Sequence, residues 1–301
     1  MVKFRYCLNT SSIRGQELSL VEEVELTAKA GYQAIEPWVA EVRKFVEQGG
    51  SLVDLRKRIN DVGLSVESSV GFNEWVTDAG QSLAGWEAWK RDLDLMAQIG
   101  TKRIAAPPIG AVHQADKDLI KLANRYRRLL DLGRQFGIVP QVELWGTTRW
   151  GASQTLSRLG DVACVLIESD HTDACALLDV FHIYTGGSPF AGVRHFNGAS
   201  LPVFHLNDYP TDPPREIITS AHRVFPGDGV APLQTMIRDL RSISFEGVFS
   251  LELFNPEYWR QDALEVARTG LEKMQAVVVQ ALEARGAQPA PQTLGQKEAR
   301  P

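Results

Sequence analysis

Short runs of β-branched and aromatic residues alternate along this chain with longer stretches whose apolar residues recur at helical spacing. Glycine often marks the change. The segments KAGYQAIEPW (29–38), DVGLSVESSV (61–70), QIGTKRIAAPP (98–108), QFGIVPQVELW (135–145) and SFEGVFSLELF (244–254) share one grammar. A helix ends, glycine takes the left-handed closing position, and a strand begins within a few residues. The helices show in their stripes. Over 118–136, Leu119, Leu122, Tyr126, Leu129 and Leu130 fall on one face, with Lys121, Arg125 and Arg128 off it. Over 261–284, Ala263, Val266, Ala267, Leu271, Met274 and Val278 do the same.

Eight strands are predicted, at 4–9, 34–38, 65–70, 103–107, 139–145, 175–181, 203–207 and 248–254. Helices between nearly all of them imply right-handed crossovers and a parallel sheet. Eight such units fit a closed (β/α)8 barrel better than an open doubly wound sheet. LNTSSIRGQ, after the first strand, also lacks the G-x-G-x-x-G turn of a dinucleotide fold. The stretch 183–200 leaves room for only a short sixth helix. One barrel domain is expected over 1–285, with active-site residues at the strand C-terminal ends. The Pro-, Ala- and Gln-rich 286–301 is expected to be an exposed or partner-docking tail.

Composition narrows the function. The 301 residues are 44% hydrophobic and 23% charged, as in a soluble globular enzyme. No run of eighteen apolar residues predicts a membrane span, and residues 1–6 do not open a secretory signal. Cys7, Cys164 and Cys175 lack paired spacing and read as buried thiols of a reducing compartment, the cytoplasm. A net charge of −5 argues against a large nucleic-acid footprint.

The later strands place polar residues near their C-terminal ends, where such a barrel builds its site. Strand five carries Glu143 between Val142 and Leu144, and strand six carries Asp179 and then His182. Strand seven ends in His205, and strand eight carries Glu252 between Leu251 and Leu253. A period of two turns Glu143 and Glu252 inward while their apolar neighbours face the helices. Carboxylate, carboxylate, imidazole and carboxylate thus converge on one small space. Three negative charges without a counter-ion are costly. One divalent cation resolves this, and the donor set suits Mn2+, Mg2+, Co2+ or Zn2+.

Glu143, Asp179-x-x-His182, His205 with Asp208, and Glu252 resemble the signature of the xylose-isomerase-like TIM-barrel superfamily. The resemblance is closest to its sugar isomerase and epimerase branch, with keto-inositol isomerases and dehydratases, ketose 3-epimerases and hydroxypyruvate isomerases. It implies a catalytic metal held by Glu143, Asp179, His205 and Glu252, with His182 beside it on a substrate oxygen. The chemistry expected is α-proton abstraction from a keto-sugar or keto-inositol through an enediolate, with Glu143 and Glu252 moving the proton. Return to the opposite face epimerises, return to the neighbouring carbon isomerises, and loss of a β-hydroxyl dehydrates.

Strand parity sets Asp179 and His182 on opposite faces, so the strand is expected to stop near Phe181 and His182 to curl back over the pocket. Trp38 and Trp145 are expected as aromatic walls for a sugar, with Phe254 as wall or core. Glu36 is a candidate acceptor for a sugar hydroxyl. In the long loop 209–229, Arg223 is the expected substrate-contacting cation, and Asp208 would orient a ligand or position Arg215 or Arg223. Gly227-Asp228-Gly229 reads as a turn or as a phosphate nest. The partner implied is a small carbohydrate or cyclitol, with a homo-oligomer possible. A β-eliminating lyase of keto-glycosides shares this chemistry. An abasic-site endonuclease of the same superfamily would need extra histidines that strands two to four do not supply. A sugar-binding protein without catalysis would not need three converging carboxylates.

Overall fold

The computed structural model describes residues 4–110, 118–146 and 156–283. The eight parallel strands are β1 (Arg5–Asn9), β2 (Ala34–Glu36), β3 (Ser65–Val66), β4 (Arg103–Ala106), β5 (Val139–Glu143), β6 (Ala176–Asp179), β7 (Val203–His205) and β8 (Val248–Leu251). Their order, β3-β2-β1-β8-β7-β6-β5-β4, puts the first strand beside the last and curls the sheet into the expected barrel. Its two ends meet without a regular ladder. Three backbone bonds fasten them: Lys102 N to Val66 O (3.1 Å), Ser69 N to Arg103 O (3.1 Å) and Ala105 N to Ser69 O (2.8 Å). The expected tail at 286–301 lies outside the described residues. No helix among the described residues is long and apolar enough to cross a membrane.

Most strands stop earlier than their sequence patterns suggest. β3 shrinks from 65–70 to Ser65–Val66, with one further bridge between Trp38 and Val70. Glu252 sits one residue past β8. The alternating pattern continues into the barrel mouth, but pairing ends where the chain turns to carry polar side chains there. The expected helices appear as Leu119–Phe136, capped by Asp118, and Ala263–Glu283. Arg125 departs from its expected outward place: it is buried and bonded to Val76 O and Asp78. Beyond β6 the chain forms the short helix Val180–Thr185 and then 3-10 turns at Phe190–His195 and Gly198–Ser200. Cys7 and Cys175 are buried, whereas Cys164 is only partly so.

The barrel interior changes character within two residues on β1, β2, β6, β7 and β8. Its lower part is filled by Cys7, Ala34 and Val248 and by Ala105, Leu177 and Val203. Two positions further along lie Asn9, Glu36, Asp179, His205 and Ser250, all fully buried. Register aligns them: Asn9 pairs with Glu36, Asp179 with His205, and His205 with Ser250. The alternate residues Leu8, Ile35, Val142, Leu178, Phe204 and Phe249 face outward into the core beneath the helices. A polar floor therefore rests on an apolar plug, and the site is built on that floor.

Candidate metal centre

Asp179, His205 and Glu252 each offer a ligand atom, all within 4.8 Å of one another, and all three residues are buried. His205 Nδ1 lies 3.1 Å from Glu252 Oε2 and 3.5 Å from Asp179 Oδ2. It makes no hydrogen bond there. Two carboxylate oxygens and an imidazole nitrogen thus face one point, a donor set suited to one divalent cation. Glu143, expected as a fourth ligand, lies outside this cluster but lines the same hollow, and its Oε2 has no partner. Among the described residues no other such cluster occurs.

Asp179 has two tasks, which resolves the parity problem at His182. Its Oδ1 accepts from His182 N (2.9 Å) and caps the helix that starts immediately after β6, while Oδ2 faces the site. The first turn of that helix swings His182 over the hollow, where Nδ1 accepts from Gly146 N (3.3 Å).

Arg223 is fully buried. Its Nη1 donates to Asp179 Oδ2 (2.9 Å) and Glu252 Oε2 (2.7 Å), and Nη2 lies 3.2 Å from His182 Nε2. The side chain expected to meet substrate thus also balances the carboxylates. Its loop is organised by Asp208, whose carboxylate accepts from the backbone N–H of Tyr209 (2.8 Å), Gly227 (3.0 Å), Gly229 (3.2 Å) and Ala231 (2.9 Å). The phosphate-nest reading of Gly227-Asp228-Gly229 is corrected by this: the chain's own Asp208 fills that nest. Arg215, half exposed beside Glu216, is not what Asp208 positions.

Electrostatics follow from these contacts. Burial would raise the carboxyl pKa of Glu252, but the charges of His205 and Arg223 hold it at about 2. The same opposition, led by Arg223 and His205, depresses Asp179. Burial would lower His205, yet Glu252 and Glu36 keep it well above its usual value. Among the described residues no cation contacts Glu143, and burial together with Glu252 raises it to about 8. Burial, with Arg223 adding to it, lowers His182 to about 4.

Aromatic rings surround the hollow of about 110 Å3 above these groups. Trp38 meets Phe72 (ring centres 5.1 Å apart) and Phe254 (6.0 Å), Phe72 meets Trp145 (6.0 Å), and Trp145 stacks on His182 (6.1 Å). Trp38, Trp145 and Phe254 thus all line the hollow. Phe72 joins them; its place just beyond strand three, after Gly71, was the available sign. Glu36 departs from expectation. It does not line the hollow, being fully buried below it with Oε2 2.9 Å from His205 Nε2. Asn9 and Ser250, which the strand-end rule would also have found, bond to the same oxygen.

A family model described as xylose isomerase-like TIM barrel matches residues 24–277. The chain belongs to the xylose isomerase-like TIM barrel family. Among relatives in that family, an inosose isomerase of Bacillus velezensis is 25% identical over 279 residues, 91% of this chain and 97% of that protein. A 3-dehydroshikimate dehydratase of Pseudomonas aeruginosa is 25% identical over 79% of this chain, which spans only 36% of that protein. A crystal structure of IolI protein with a bound zinc atom superposes with TM-score 0.83 at 22% identity, covering 92% of this chain and 99% of that one. The xylose isomerase-like barrel is therefore supported by sequence and by shape.

Proposed function

We propose that this protein is a divalent-metal-dependent isomerase or epimerase of a keto-inositol or keto-sugar, acting by proton transfer at the carbon beside the carbonyl. The observation that carries the reading is the Asp179–His205–Glu252 triad with Glu143, whose Oε2 has no hydrogen-bond partner, lining the same hollow as Glu252. The inosose isomerase relatives and the zinc in the IolI crystal structure support it. Asp179, His205 and Glu252, with Glu143 as the expected fourth ligand, would hold the cation, which would supply Lewis acidity toward a carbonyl oxygen.

The protein's own groups supply the rest. Glu143, raised to about 8, is poised near neutral pH to take and return a proton. Glu252 stays ionised and follows β8, three strands round from the β5 that carries Glu143, which leaves the substrate the space between the two carboxylates. Arg223 and a neutral His182 are donors for substrate hydroxyls, and the aromatic rim excludes water and stacks on the C–H face of a ring. Dehydration is the second reading, favoured by the dehydratase relatives, and it needs a donor such as His182 or Arg223 at the departing hydroxyl.

Proton NMR of metal-loaded protein with keto-inositols and ketoses in D2O tests this. Deuterium at the carbon beside the carbonyl, with a new isomer or epimer, is the expected result; a vinyl proton would show dehydration. Glu143→Gln and Glu252→Gln should each slow exchange by about 10²-fold or more, the scale of a lost acid–base group. Absence of exchange across the panel with metal bound would overturn the proposal.

A further inference from the structure

We propose that Glu36 is the positioning residue of the metal centre, fixing His205 so that Nδ1 is the nitrogen offered to the cation. The inference rests on the metal centre of the proposed function and extends it to a residue outside the ligand set. Glu36 is the last residue of β2, on the far side of β1 and β8 from His205, and is completely enclosed. Its Oε2 gathers three donors: His205 Nε2 (2.9 Å), Ser250 Oγ (2.7 Å) and Asn9 Nδ2 (2.9 Å). An ionised carboxylate can only accept, so the nitrogen facing it must carry the proton. In the neutral imidazole that leaves the lone pair on Nδ1, the atom that faces Glu252 Oε2 and Asp179 Oδ2 without a hydrogen bond.

The surroundings show why Glu36 cannot swing away. Asn9 is itself held: Trp38 Nε1 and Ser11 N both donate to its Oδ1 (2.9 and 3.0 Å), which turns Nδ2 toward Glu36 and, at 3.4 Å, Glu252 Oε1. Ser250 is fixed by its register with His205. Strands β1, β2, β7 and β8 thus each contribute one side chain to a single network beneath the ligands. A fourth buried carboxylate beside Asp179, Glu252 and Glu143 is electrostatically unfavourable unless it serves a bound positive charge. A carboxylate behind a ligating imidazole fixes the ring and raises its basicity.

Two measurements test this. Long-range 1H–15N NMR of zinc-loaded wild-type protein should show His205, assigned by its loss in His205→Gln, with the proton on Nε2 and zinc on Nδ1. This needs no change at Glu36. Second, Glu36→Gln should weaken zinc binding by about 10–100-fold in a chelator competition. The glutamine can present either its oxygen or its NH2 to the ring, so it no longer dictates the tautomer. A merely structural role would lower the melting temperature of the metal-free variant while leaving its zinc dissociation constant unchanged. Zinc on Nε2, or a Glu36→Gln affinity within threefold of wild type, would overturn the role with the metal centre standing. Wild-type protein that binds no divalent cation would overturn the metal centre and this role with it.

Discussion

Asp208 accepts four backbone N–H groups from its own loop, and the same loop carries Arg223 into the site. Asparagine has one acceptor oxygen where the carboxylate has two, and its NH2 would confront donors. Asp208→Asn should therefore cost about 2–3 kcal/mol in urea unfolding, the penalty of leaving buried donors unsatisfied. It should also reduce turnover through a displaced Arg223. An unchanged unfolding midpoint would show that the loop holds itself. Gly229 belongs to this arrangement, because a Cβ there would come within 2.4 Å of Asp208 Oδ1. Asp179, His205, Glu252 and His182 were legible in the sequence as candidate site residues, since each stands where an apolar strand turns polar. The partnership of Glu36 with His205 was not. They are 169 positions apart, and only the closed order β2-β1-β8-β7 brings them together.

Between elements, the least continuous join is that of β3 with β4, and Glu67 reinforces it at the end of the barrel opposite the site. Arg5 from β1 and Lys102 donate to its Oε1 (2.6 and 2.7 Å), and Arg103 from β4 reaches Oε2 (3.4 Å). Burial opposes its ionisation, but hydrogen bonds from Lys102, Ser65 and Arg5 hold its pKa at about 2, against 4.5 normally. A depressed folded pKa gives stability that is full above about 4.5 and is lost as pH falls toward 2. Glu67→Gln should accordingly lower stability by about 1–2 kcal/mol at pH 7, the partners being partly exposed and screened. The difference should shrink between pH 4.5 and 2; a deficit constant with pH would contradict the ionic origin. The alternation of elements was readable because helix closure is a local event. Gly31, Gly63, Gly100 and Gly137 all take positive φ, as the shared grammar requires. At 244–254 it is Ser244 (φ 58) rather than Gly247 that turns the chain. Strand ends were less readable, because pairing depends on where a neighbour also stops.

For the whole molecule, a cation that binds only the folded chain stabilises it by mass action. At 100 times its dissociation constant the gain is about 2.7 kcal/mol. For a domain of this size that corresponds to a melting point higher by roughly 4–5 °C. Differential scanning fluorimetry with Mn2+, Zn2+, Co2+ and Mg2+ should show such a rise, reversed by chelator and absent in Asp179→Ala. No shift with any of the four would argue against a preformed centre.

The path of the chain around the barrel separates two kinds of residue. Glu143, Asp179, His205 and Glu252 all come from β5 onward, after the β3–β4 seam in the chain. Trp38 and Phe72, which shape one side of the mouth, precede that seam. Part of the mouth wall thus lies on a stretch, 34–72, that supplies none of these four side chains, and it could be exchanged between homologues to reshape that wall while Trp145, His182 and Phe254 stay in place. Such a graft has two requirements: whatever new contour it brings to the mouth, it must carry a glutamate at the end of β2 and another at position 67 for the seam.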